Sequence, residues 1–385
     1  IFMSVSCRIK NRTVLWIPFS LYAVKMETRS KGGSVADVLR KINLSAQNFT
    51  VHQEKTLRAL SYCRTSALGG HIDACDGCGN LSISYNSCRN RHCPQCQGHK
   101  REEWIQKREQ ELLPCSYYHV VFTLPEELNS LAISQPALLY KTLFEAAWAT
   151  LNQFGKTEQM QLGMIAILHT WGQNLSLHPH LHCIVPGGGI DQNSKWKKKV
   201  RTDKYLFCVK AMSKVFRAKF VALLRASGIK DQDLMDKLFT KNWVVYAKRP
   251  FGGPKQVIEY LGRYTHKVAI SNHRIKEVTD HEVRFGYKDY RKEGQKKEMT
   301  LSNTEFVRRF SLHILPRRFV RIRHYGILSS SWKRGKLQDL QSDLKIQITE
   351  VKPKTLLKKC RCCKEGNLIT IALFGQRGPP EDFLA

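Results

Sequence analysis

The stretch Leu177-His178-Pro179-His180-Leu181-His182-Cys183-Ile184-Val185 decides the fold. Polar and apolar residues alternate through its centre with a period of two, which reads as a β-strand whose successive side chains point to opposite faces. On such a strand His180 and His182 share one face and can reach a single divalent ion, while Leu181 points into the core. His178 is in phase with them and is one candidate third ligand. His119 or His169, arriving on a neighbouring strand, are the others. A His-x-His pair alone is a weak signal, because ordinary hydrogen-bonded histidines are common on strands, so its meaning depends on what surrounds it.

Tyr118–Leu124 has strong strand character and stops at Pro125, and a helix is expected over residues 134–153 with Leu138, Leu139, Leu143, Ala146 and Leu151 on its apolar side. Strands are expected over 164–170 and 181–185, a turn at Gly187–Gly189, and return strands near 196–200 and 205–209. Helices follow over 211–226, 255–267 and 303–313, a strand over 243–247, and a hairpin from 282–287 and 297–301. Antiparallel hairpins interleaved with helices, on connections too short for parallel crossovers, predict an α+β fold: an antiparallel sheet covered by helices. The expected organisation is a linker or extension over 1–34, a helical and zinc-binding domain over 35–113, a catalytic domain over 114–330 and a basic tail over 331–385.

The zinc assignment rests on cysteine density. Six of the thirteen cysteines fall between positions 63 and 96, and the knuckles Cys75/Cys78 and Cys93/Cys96 are 14 residues apart, close to zinc-ribbon spacing. One structural Zn²⁺ on these four is the expectation. Cys63, His71, Cys88 and His92, with His99 in reserve, offer a second set of ligands; equally, Cys63 and Cys88 can be small core residues. Near the other end, Cys360-Arg-Cys362-Cys363 holds a Cys-x-x-Cys pair that is a degenerate knuckle, half of a site with distant partners, or a set of free thiols.

The chain of 385 residues carries 63 Lys+Arg against 32 Asp+Glu, a formal net charge of +31, and 42% hydrophobic residues. That is enough apolar material for real cores, and the charge calls for a polyanion. No apolar span suits a membrane, so nucleic acid is the expected partner. Clustered rather than dispersed cysteines favour a reducing, cytoplasmic location, nucleoid-associated in a bacterium. Residues 1–25, which precede the ordinary-looking start Met26-Glu-Thr-Arg-Ser-Lys, read as a translated upstream extension or linker.

About 80 residues beyond the histidine pair lies Glu259-Tyr260-Leu261-Gly262-Arg263-Tyr264-Thr265-His266-Lys267. Tyrosines at i and i+4 of a helix project from one face. Such pairs usually serve packing, but here Arg263, His266 and Lys267 surround them with charge that stabilises a phenolate, the form that attacks phosphorus. A metal-binding His pair plus helical tyrosines in a basic chain describes cleavage of single-stranded DNA through a 5′-phosphotyrosine, with the bound metal ion polarising the scissile phosphate. The bond energy stays in the phosphodiester, so rejoining needs no ATP.

At this point the sequence resembles a known family, the two-tyrosine HUH transposases of rolling-circle insertion sequences, of the insertion-sequence-ninety-one type. The resemblance runs from about 35 to 330. It is carried by Ser87-Cys-Arg-Asn-Arg-His-Cys-Pro-Gln-Cys-Gln97, Phe122-Thr-Leu-Pro125, His178-Pro-His-Leu-His182, Tyr260-Leu-Gly-Arg-Tyr-Thr-His266 and Phe319-Val-Arg-Ile-Arg-His-Tyr-Gly326. It implies an HUH endonuclease-type sheet, Tyr260 and Tyr264 as nucleophiles, His180 and His182 on Mg²⁺ or Mn²⁺, and a zinc domain that helps bind element ends. Single-stranded DNA at transposon ends and target is then the substrate, and host replication machinery is a candidate partner. The rivals are a replication initiator or relaxase of the same chemistry, and a non-enzymatic zinc-finger DNA-binding protein whose tyrosines only pack. The Arg/aromatic run from Arg308 to Tyr325 suits a groove that tracks a single strand, and Lys195, Lys197, Lys198 and Lys199 a hairpin tip on the backbone.

Overall fold

Helices α1 (Val35–Arg40) and α2 (Val51–Ser61) each begin at a capping box, in which Ser34 and Thr50 accept the N–H groups of Asp37 and Gln53 and those side chains accept in return. A cysteine-bearing hairpin follows, β1 (Gly70–Cys75) and β2 (Leu81–Tyr85). Then come β3 (Tyr117–Thr123), α3 (Asn129–Ser134) and α4 (Pro136–Thr157), the last started by a proline whose missing N–H would be unpaired in any case. The central hairpin is β4 (Gly163–Trp171) and β5 (Leu177–Pro186), and β6 (Gly188–Ile190) and β7 (Trp196–Lys198) extend from it. After α5 (Val209–Ala226), α6 (Gln232–Thr240) and β8 (Val245–Ala247) come β9 (Ile275–Val278), β10 (Glu282–Asp289) and β11 (Gln295–Ser302). The described chain closes with α7 (Asn303–Ser311), β12 (Ile322–Gly326), α8 (Lys336–Asp343) and β13 (Leu368–Phe374). This computed structural model describes residues 33–96, 104–198, 206–247, 256–257, 262, 267–344 and 358–380.

The described residues form two units, one of 33–63 with 87–344 and one of 64–86 with 358–380. In the larger unit a five-stranded sheet runs in the order β12-β4-β5-β3-β8, antiparallel throughout. One face is apolar: Leu181, Cys183 and Val185 join Met164, Ala166, Leu168, Val120 and Phe122, all fully buried with Leu143 and Ala147 of α4 and Phe216 and Phe220 of α5. On the other face Ile165, Ile167, Ile184 and Tyr117 share a core with Leu113, Val257, Leu337 and Leu340. A second antiparallel sheet, β11-β10-β9, shares a third core with α1, α2 and α7, built on Leu39, Leu57, Phe285, Phe306 and Phe310. The fold class is therefore the expected one, antiparallel sheets covered by helices.

The smaller unit is a three-stranded sheet in the order β13-β1-β2, with Asp73 opposite Thr370 and also opposite Ser82. This departs from the expected boundaries, because the segment past 331, expected as a basic tail, contributes regular elements. It supplies α8 to the larger unit and a whole strand to the smaller. Two other differences have simple causes. No strand forms over 206–208, since Leu206 and Phe207 are both buried in the α4–α5 core, which a half-buried strand with period two cannot achieve, and α5 starts at Val209. The segment Ile322–Gly326 is a strand because it pairs with β4, and its Arg and His residues are half-buried there. Among the described residues no helix is long and apolar enough to cross a membrane.

The apolar face of β5 sets the register of the whole sheet, so a cavity there is costly. Leu181→Ala is expected to lower stability by about 2–5 kcal/mol, read as a shift of the urea unfolding midpoint without a change in slope.

A candidate metal centre and a cationic cleft

Strand pairing brings three histidines together. His180 and His169 are cross-strand partners, and Ile167 opposes His182, so His169 shares a face with both members of the pair on β5. One ring nitrogen from each of His169, His180 and His182 lies within 4.8 Å of the other two, a set that can hold one ion. His169 is thus the neighbouring-strand histidine that joins the pair. His178 is exposed, with its ring 5.2 Å from that of His180, and is outside the group.

Hydrogen bonds orient the ligands. His180 donates from Nδ1 to the carbonyl of His178 at 2.7 Å, which leaves the Nε2 lone pair for an ion. His182 Nδ1 lies 2.8 Å from His119 Nε2, on a ring stacked at 12°. For His182 to ligate through Nε2, its Nδ1–H must donate to His119, so His119 acts as the outer partner that selects the tautomer. Burial pushes the His180 imidazole down to about 4, with His178 and Lys267 adding to the effect against the bond to the His178 carbonyl. His182 is held well below its usual range by burial first, then by His169, His180, His119 and Lys267. Both rings are consequently neutral at pH 7, the form that binds metal. Lys267 itself is positioned by Arg321, which donates to its carbonyl at 3.0 Å.

Beside the triad opens a cleft of about 860 Å³. Trp171, stacked on His169 at 4.6 Å, lines it together with Gly262 and Lys267. From there it runs over the β9–β11 sheet past Lys276, Lys288 and Lys296, all exposed, and past Tyr287 and Tyr290, the latter 70% exposed. Lys288 and Lys296 are direct cross-strand partners. Like charges so placed repel, and they concentrate positive charge along this side of the cleft. One carboxylate, Glu298, lies in the cleft and pairs with Arg284 at 3.7 Å. Rings and lysines along one groove are what a nucleic-acid strand requires. The sequence signal for this groove was the lysine content of the polar face of the hairpin, which alone does not distinguish it from any solvated sheet.

The Arg308–Tyr325 run, expected to track DNA, is largely spent on structure. Arg308 and Arg309 pair with Glu305 at 2.6 and 2.7 Å, Arg321 is half-buried and donates to the Lys267 carbonyl, and Arg323 lies 4.3 Å over the Phe144 ring. Arg91, expected to decorate the zinc region, donates to the carbonyl of Phe319 at 2.6 Å.

The four cysteines expected to share one ion are divided between two groups. Cys93 and Cys96 join Cys63 and Cys88, while Cys75 and Cys78 join Cys360 and Cys363. The reason is topological: β13 pairs with β1 and carries the distant knuckle to the hairpin. His92 is no ligand, since its Nε2 accepts from the Leu315 N–H at 3.1 Å and its Nδ1 meets Asn90 at 3.1 Å. His71 lies 3.5 Å from Asp73, outside both groups. Sulfur separations in the Cys63 group are 3.5 to 3.6 Å. Tyr260, Tyr264, Arg263, His266 and His99 lie outside the described residues, as does the segment 1–25.

Residues 35–124 match the family described as "Transposase zinc-binding domain", and residues 163–336 match the family described as "Putative transposase". Cys360 and Cys363 fall outside both matches. The curated protein "Putative transposase y4qJ" of Sinorhizobium fredii is 40% identical over 390 residues, which cover 91% of this chain and 98% of that protein. "Transposase for insertion sequence element IS801" of Pseudomonas savastanoi pv. phaseolicola is 28% identical over 289 residues, covering 72% of this chain and 70% of that protein. No solved structure matches the chain.

The triad is expected to bind Mn²⁺, and His169→Ala to abolish that binding. His119→Phe removes only the outer partner and should weaken Mn²⁺ by about 10–100-fold. Calorimetric titration measures both, with an unchanged circular dichroism spectrum as the control for folding.

Proposed function

The chain belongs to the insertion-sequence-ninety-one family of transposases, and on that premise we propose that it cuts and rejoins single-stranded DNA at element ends through a 5′-phosphotyrosine. In this reading Tyr260 and Tyr264 are the nucleophiles, and His169, His180 and His182 hold Mg²⁺ or Mn²⁺. The ion, when bound, supplies Lewis-acid polarisation of the scissile phosphate.

One observation carries the reading. Val257 is helical and fully buried in a core with Ile165, Ile167 and Ile184, which alternate in register with His169, His182 and His180 on the same face of the sheet. Tyr260 and Tyr264 follow Val257 by three and seven residues, the spacing of one helix face. On the helix that the sequence predicts over 255–267, both tyrosines would share a face with Val257. Gly262, midway between them, is helical and lines the cationic cleft.

The residues divide the chemistry among themselves. A tyrosine oxygen attacks phosphorus, the bond to the 3′ oxygen breaks, and the protein keeps the 5′ end while the free 3′-OH remains for rejoining. Lys267, exposed beside the triad, adds positive charge where the phosphate would sit. The second tyrosine allows a second strand transfer before the first end is released, as rolling-circle transposition needs. The cleft holds the strand by phosphate contacts to lysines and by base stacking on Tyr287 and Tyr290, and host polymerase fills the donor strand.

With Mn²⁺ and single-stranded oligonucleotides carrying candidate element ends, the protein should form a covalent adduct that survives denaturing electrophoresis. An adduct that persists in Tyr260→Phe/Tyr264→Phe, or none with the wild type on its own ends, sinks the mechanism and favours a non-enzymatic DNA binder. Separately, Lys276→Ala/Lys288→Ala/Lys296→Ala is expected to flatten the dependence of log affinity on log salt for single-stranded DNA by about 2, at about 0.7 for each phosphate no longer neutralised. Fluorescence anisotropy over a salt series reads that slope.

A further inference from the structure

The smaller unit has almost no core of its own: among the described residues its buried apolar side chains are Ile72 and Ile83, alongside the buried Cys75 and Cys360. A sheet of three short strands this poor in apolar contacts needs a covalent or metal staple. Four cysteines supply the means. Cys75 Sγ lies 3.7 Å from Cys363 Sγ and Cys78 Sγ 3.7 Å from Cys360 Sγ, with all four sulfurs within 4.8 Å of one another. Zn–S bonds of about 2.3 Å in a tetrahedron place sulfurs about 3.8 Å apart, whereas a disulfide would need about 2.05 Å.

The two knuckles have the same conformation although their sequences differ. In each, the residue two beyond the first cysteine donates its N–H to that sulfur, Gly77 to Cys75 at 3.4 Å and Cys362 to Cys360 at 3.3 Å. In each, the residue four beyond returns its N–H to the carbonyl of the first cysteine at 3.0 Å, from Gly79 and from Lys364. Those two residues adopt left-handed φ values of 70° and 64°. For a lysine this conformation is unfavourable and persists only where the surroundings dictate it. Further N–H groups point at sulfur from Cys78 to Cys75 at 3.4 Å and from Gly366 to Cys363 at 3.3 Å. Such donors favour thiolate.

The knuckles also fit against each other. A Cβ on Gly366 would come within 2.3 Å of Cys75 Sγ, so only glycine allows the approach. Asp76 accepts from the Asn367 backbone N–H at 2.7 Å and from its Nδ2 at 3.2 Å, and its own N–H donates to the Asn367 carbonyl at 3.0 Å.

We propose that Cys75, Cys78, Cys360 and Cys363 bind a zinc ion of their own, additional to one in the Cys63 group, and that this ion fastens residues 358–380 to the hairpin of β1 and β2. Binding converts four thiols to thiolates and releases their protons to solvent. The ion is structural: four protein sulfurs fill a tetrahedron and leave no open position.

Cys362 provides an internal control, being exposed and adjacent to two ligands without being one. Full-length protein purified with its metal is treated with iodoacetamide and mapped by mass spectrometry. Cys362 should be modified first, while Cys360, Cys363 and Cys78 stay protected until a chelator is added. Cys78 is decisive, because it is exposed, as Cys362 is, and burial cannot protect it. Modification of Cys78 at the rate of Cys362 in the metal-loaded protein, or a Cys75–Cys363 or Cys78–Cys360 disulfide peptide from the native protein, overturns the proposal. In parallel, Cys360→Ser/Cys363→Ser should lose one zinc per chain relative to wild type by plasma mass spectrometry. Unchanged zinc content in that variant overturns the proposal as well, and if the variant cannot be recovered the alkylation map of the wild type decides alone.

Discussion

Alternation of side chains along Leu177–Pro186 is the constraint on which the rest of the molecule depends. Every second residue must enter the core beneath α4 and α5, and Leu181, Cys183 and Val185 do so completely. Once they are buried, His180, His182 and Ile184 have no choice of side, because a slip of one residue would bring two imidazole rings into an apolar core. Pairing with β4 then sets His169 across from His180, and pairing with β3 brings His119 within reach of His182. The geometry of a candidate metal centre is thus enforced from the opposite side of the sheet by hydrocarbon packing.

The same sheet explains how the chain manages its net charge of +31. Part of the excess is consumed in holding the fold: Arg91 and Arg321 bind backbone carbonyls and Arg323 covers aromatic rings. Arg317 and Arg318 remain exposed from that run. Lys276, Lys288 and Lys296, by contrast, are exposed along a groove that begins beside the histidines. Charge count alone therefore says that a polyanion is bound, whereas the distribution of hydrogen bonds says which cations are left to bind it.

Much of this was legible in the residues. The period of two around His180 and His182, the helix at 136–157 and the hairpin at 282–302 carry their own local signal, and the structure has them within a few residues of where patterning put them. What was illegible depended on partners remote in sequence. Spacing grouped Cys75 and Cys78 with Cys93 and Cys96 because nearness along the chain was the available guide; β13 could not be foreseen as the neighbour of β1. Ile322–Gly326 looked like a DNA-tracking run because its arginines are conspicuous, while its role as an edge strand is visible only beside β4. His169 was one of three open choices for a third ligand, and only strand register could separate them.

The pairing of β1 with β13 carries a consequence for how the protein is made. Asp73 and Thr370 are joined by a 2.7 Å hydrogen bond across 297 residues of sequence. At a synthesis rate of about 5–20 residues per second, the hairpin waits on the order of 15–60 s for its third strand. During that interval β1 presents an unpaired edge to the cell, while the sheet that carries the histidines is already emerging. A ribosome that stops short of residue 368 releases a chain in which that edge is never covered.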